Sequence, residues 1–126
     1  MKYIITMVLI LVIILGLNFY VASYINKSAD NLLDSVQQIR RAATAGDVQS
    51  AADMISAMRE RWEHDETRWE AFTDHREVER VDILIQRLEG FVDERTTEGM
   101  AEELQELEYL LRQMTEKHSF KLENIF

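Results

Sequence analysis

The first hydrophobic pattern in the chain has no period at all. From Tyr3 to Asn26 there is no charged residue, and Ile4 to Leu17 is Ile, Leu, Val and Met apart from Thr6 and Gly16. A helix needs about 20 such residues to cross the ~30 Å of a bilayer's hydrocarbon. Lys2 and Tyr3 precede the run and Tyr20, Tyr24 and Lys27 follow it, residue types that favour the two interfaces. The run predicts an N-terminal transmembrane anchor over residues 1–27, in the bilayer through residues 3–26. Val21-Ala22-Ser23 offers a cleavage site for the competing reading as a removable signal peptide, but the apolar stretch is longer than an ordinary signal core of 7 to 15 residues. A positive end followed by an apolar run favours the N-terminus inside and the remaining domain, residues 28–126, outside the cytoplasm.

Beyond Lys27 the apolar positions fall into four stripes of helical period. Leu32, Val36, Ile39 and Ala43 form the first. Ala45-Gly46-Asp47 then reads as a stop and a restart, with Gly46 suited to a left-handed C′ position and Asp47 to an N-cap. The second stripe is a heptad seam of Val48, Ala51, Ile55, Met58, Trp62, Asp65, Trp69 and Phe72, broken only by the aspartate. The third, Val78, Val81, Ile85, Leu88 and Val92, is out of phase with it: at 100° per residue Val78 points ~180° from Trp69. A turn is therefore expected at Thr73-Asp74, with Asp74 and Glu77 at capping-box spacing; one long kinked helix is the competing arrangement. After a polar run from Asp93 to Gly99, in which a threonine can cap, Met100, Leu104, Leu107, Leu111 and Met114 make the fourth stripe, widened by Leu110. Ser28 reads as a cap for the first bundle helix unless that helix runs straight out of the membrane. The expected fold is all-α: an N-terminal transmembrane helix followed by an antiparallel, up-down helical bundle of about four helices.

Composition agrees and adds a sign. Among 126 residues there is no Pro and no Cys, and only 4 Gly, so helices meet few interruptions and disulfide, thiolate and Cys-based zinc chemistry are excluded. All 23 acidic residues lie after Lys27 against 12 basic ones; such a surface repels nucleic acid and anionic headgroups. No Gly-rich phosphate loop or Gly-x-Ser-x-Gly is present. Glu60 with His64, and His75 with Glu79, share helix faces, but no Glu-x-x-His pair occurs and a solvated face accounts for them. The reading is not an enzyme, with no catalytic, cofactor or metal residue expected.

Two sets of residues still stand out. Trp62, Asp65 and Trp69 are a candidate ligand or buried polar site, because an aspartate in a seam needs an Arg or Lys partner or a wet bundle end; core packing is the simpler account of the two rings. Leu122, Asn124, Ile125 and Phe126 are a candidate partner-binding tail, because chain ends usually fray in polar residues.

The anchor, the Trp62 to Trp69 helix, the sequence Asp74-His75-Arg76-Glu77-Val78-Glu79 and the closing Leu122-Glu123-Asn124-Ile125-Phe126 together resemble an uncharacterised family of small single-pass bacterial membrane proteins from Gram-positive endospore formers, a domain of unknown function. The resemblance implies a membrane-anchored helical domain and no particular activity. The expected function is a non-enzymatic interaction or scaffold protein in the cell membrane, docking on another membrane or envelope protein, with self-association left open. The alternative is an extracytoplasmic small-ligand or cation-sensing helical domain.

Overall fold

A computed structural model of the protein describes the backbone of residues 1–125 and the side chains of residues 1–116. Four helices account for nearly all of it: α1 (Lys2–Thr44), α2 (Val48–Phe72), α3 (His75–Asp93) and α4 (Met100–Ile125). Among the described residues α1 packs on α2 and α4, and α3 on the same two, so the helices stand in a ring in chain order. Short connections make each neighbour antiparallel, the up-down bundle that the four stripes demand.

α1 is 43 residues long without a break, or about 65 Å at the ordinary rise. Its two halves live differently. Residues 1–20 are exposed along their whole length, and this stretch is apolar and long enough to cross a membrane. From Val21 onward the same helix enters the bundle, burying Ala22, Ile25, Ala29, Leu32, Val36 and Ile39. Ser28 is thus an interior residue of the helix and not its cap.

Each predicted stop has a physical cause in the backbone. α1 ends in a Schellman arrangement: the Gly46 N–H donates to Ala43 O and the Asp47 N–H to Ala42 O, with Gly46 at φ 73°, the left-handed state that glycine adopts without a Cβ penalty. Asp47 Oδ1 then accepts from Ser50 N, capping α2. The phase break is a true break: Thr73 is extended and Asp74 Oδ1 accepts from Arg76 N to start α3, so α2 and α3 are two helices.

α3 ends in a second Schellman arrangement, with the Thr96 N–H donating to Phe91 O and the Arg95 N–H to Val92 O; here Arg95 takes the positive φ, 56°. The Thr96 hydroxyl accepts from Glu98 N, inside the loop, so it steadies the turn and does not cap α4 as expected. Gly99 at φ 90° leads into α4 because Phe91 leaves no room for more: a Cβ there would stand 2.8 Å from Phe91 Cζ.

The core takes Ala51, Ile55, Met58, Trp62 and Trp69 from α2, Val78, Val81, Leu84, Ile85 and Leu88 from α3, and the whole predicted stripe of α4. Phe72 departs from the heptad seam. It is 46% exposed, as the last residue of α2 before the turn into α3.

Candidate functional site

A buried charge joins α1 to α2. Asp65, three residues beyond Trp62 in the seam, is 8% exposed and has no Arg or Lys partner among the described residues. Its oxygens are taken instead by hydroxyls from α1. Tyr24 Oη donates to Oδ1 at 2.6 Å and Ser28 Oγ donates to Oδ2 at 2.7 Å; His64 Nδ1 lies 3.1 Å from Oδ1. Tyr24 and Ser28 reach one carboxylate because they are four residues apart on one helix face, a turn from each other.

Trp69 extends the network. Its Nε1 donates to Ser28 Oγ at 2.9 Å, so the serine accepts from the indole and donates to the carboxylate, a directional chain in which each bond polarises the next. Outside it, the Arg68 guanidinium carbon sits 4.7 Å from the Tyr24 ring centre, within cation–π reach. Burial disfavours the Asp65 charge, but the hydrogen bonds from Tyr24, Ser28 and His64 outweigh it and hold the carboxyl below the usual carboxylate range. A carboxylate so satisfied is a weak proton acceptor near neutral pH. Its evident effect is to fix the register of α1 against α2, because sliding either helix by a turn would strand the charge.

The two tryptophans differ in this setting. Both are fully buried, with ring centres 6.2 Å apart and planes tilted by 47°, a favourable aromatic geometry. Trp69 has its partner, whereas Trp62 Nε1 is buried with none among the described residues. Sequence reasoning singled out Trp62, Asp65 and Trp69, and did not single out Tyr24 and Ser28 as the partners of Asp65. The signal was present in their i, i+4 spacing beside Ile25 and Ala29, had the aspartate been asked which hydroxyl donors it could find.

The remaining interfaces are tied by ions. Arg59 of α2 reaches Asp82 and Glu89 of α3, each at 2.6 Å. Arg40 of α1 meets Glu108 of α4 at 2.8 Å, where Gln37 also donates, and Arg80 and Arg87 of α3 pair with Glu106 and Glu103 of α4. Hydrogen bonds from Arg40 and Arg112 lower the Glu108 pKa. Among the described residues no three His, Asp or Glu side chains converge as a metal site. The side chains of Leu122, Asn124 and Ile125, and all of Phe126, lie outside the described residues.

A family model for a domain of unknown function, DUF4363, matches residues 19–125. The chain belongs to that family. The DUF4363 match begins as the exposed apolar part of α1 ends and takes in the whole bundle, including both hydroxyl donors and the aspartate they serve. Neither the curated proteins nor the solved structures compared contain a match.

Proposed function

We propose that this DUF4363 chain is a single-pass, non-enzymatic membrane protein that holds an acidic helical bundle at the outer face of the cell membrane as a docking or scaffold surface for another membrane or envelope protein. The observation that carries the reading is the continuity of α1. Its exposed apolar half has no counterpart to bury it among the described residues, and so large an apolar surface is suited to lipid and not to water. The same helix then becomes part of the bundle core, with no linker between. The bundle is held against the bilayer, where only partners at that surface can reach it. A non-enzymatic role is supported by the use of the buried carboxylate, whose oxygens are spent on packing α1 against α2.

The test has two parts. Carbonate-washed membranes should retain the full chain until detergent is added, and a C-terminal reporter should be active only outside the cytoplasm. Photo-crosslinkers placed at exposed Tyr109 and at Phe126 should then trap one defined partner in living cells; a crosslink to the chain itself would make the assembly homo-oligomeric. Release by carbonate, or no crosslink from any exposed face, would overturn the reading.

The sensing alternative keeps one observation in its favour, the unpartnered Nε1 of Trp62, a buried donor of the kind a ligand acceptor satisfies. Titrating the full chain in nanodiscs with divalent cations and small polar ligands should raise its melting temperature if this reading holds. An unchanged melting temperature removes it for the compounds tried.

A further inference from the structure

The register lock that sets α1 against α2 also sets the height of the α2–α3 turn. Asp65 bonds Tyr24 and Ser28, and Trp69 bonds Ser28, so the two helices run antiparallel with Trp69 opposite the Tyr24 to Ser28 turn. Continuing along α2 at 1.5 Å per residue while α1 recedes by the same amount places Phe72 about level with Val21. That is where the exposed apolar half of α1 gives way to the packed half. The turn that follows Phe72 therefore projects toward the plane from which α1 emerges.

Its surface suits that position. Among the described residues of the bundle, Phe72 is one of few large apolar side chains left open, at 46% exposure, while Ala71, His75 and Arg76 beside it are also exposed. Charge is distributed unevenly between the bundle's ends. Between residues 68 and 76 two arginines, Arg68 and Arg76, balance two acids; between residues 93 and 103, at the other end, five acids face the single Arg95. The strongly acidic end would be repelled by phosphates, and the balanced end would not.

We infer that the α2–α3 turn is a second lipid contact, with Phe72 seated at the boundary of headgroups and acyl chains and Arg68 and Arg76 facing lipid phosphates. The inference rests on the single-pass reading above and adds a second point of attachment to it. An apolar side chain such as Phe gains by burial at the headgroup and acyl boundary, and arginines reach phosphate from it. Arg68 already lies over the Tyr24 ring, so the guanidinium is held at the edge of the turn. Two contacts, α1 and the turn, would leave the bundle only the lean about the line that joins them, where one helix alone leaves every direction free.

The absence of cysteine makes the test direct. Spin labels at Leu11→Cys, Ala71→Cys and Glu94→Cys are read in the full chain, one chain per nanodisc of phosphatidylcholine with a minor share of phosphatidylglycerol, by collision with oxygen and with a water-soluble nickel chelate. Leu11→Cys should favour oxygen strongly, Glu94→Cys should favour nickel, and Ala71→Cys, which leaves Phe72 in place, should lie between them at headgroup depth. Adding Phe72→Glu should move the Ala71 label toward the Glu94 profile without changing the helical content. An Ala71 label as wet as that at Glu94, with Leu11 in hydrocarbon, overturns the inference and leaves the anchor intact. An Ala71 label shielded from both reagents marks contact with protein and overturns it too. A wet Leu11 label overturns the inference together with the anchor.

Discussion

Asp65 shows how much one side chain can demand of its neighbours. Removing one donor leaves a buried carboxylate short of a hydrogen bond, so Tyr24→Phe and Ser28→Ala should each lower stability by about 1–3 kcal/mol in urea titrations; values near zero would mean that water replaces the hydroxyl. The tryptophans supply an internal comparison. Trp69→Phe loses the bond to Ser28, whereas Trp62→Phe removes an N–H that has no partner, so the first should cost clearly more than the second, although the rings are equally buried. The pH dependence follows from the same group. Asp65 has a folded pKa below its unfolded one, so its stabilisation is complete above the ordinary carboxylate range and is lost as pH falls through the folded value. Glu108 has the same sign. Glu66, raised by burial and by the acids around it, has the opposite sign and offsets part of the loss. The urea midpoint should therefore fall from about pH 5 downward, and less steeply in Asp65→Asn. The sequence marked Asp65 as a residue in need of partners. It did not reveal that they are hydroxyls, since Tyr24 belonged to the apolar run and Ser28 resembled a cap.

At the level of whole elements the stripes were legible because burial in a bundle repeats the helical period, and the two-helix answer at Thr73-Asp74 followed from their change of phase. Phe72 was misplaced for a related reason: periodicity continues to the end of a helix, but a stripe does not specify whether its last residue is covered. The α3–α4 loop holds the clearest test of local geometry. Arg95 carries a positive φ that glycine adopts freely, so Arg95→Gly should raise stability by up to about 1 kcal/mol. Gly99→Ala should lower it by about 1–3 kcal/mol, because it adds backbone strain at φ 90° to a collision with Phe91. Thermal melts of the two variants should move in opposite directions. The continuity of α1 was one of two readings open at Ser28; packing decided it, since Ala22 and Ile25 are already core before any cap could form.

For the molecule as a whole, the sequence conveyed an apolar N-terminal helix long enough to cross a membrane, four helices and a negative surface, and it left the partner unnamed because an acidic helical face is chemically generic. The ion pairs that tie α3 to α4 are largely at the surface and contribute little individually, so raising salt should shift the urea midpoint only slightly while the Asp65 variants keep their full effect. The unbroken α1 has one more implication. If α1 spans a bilayer, a helix held at a fixed angle to its bundle cannot adjust to a thicker or thinner membrane by bending at a joint, so hydrophobic mismatch must be met by leaning. Because the bundle is some 34 Å tall from Ala22 to the end of α1, a lean of a few degrees at the base swings the acidic far loop sideways by ångströms. The rigid joint then turns a small lean at the base into a larger displacement at the far loop.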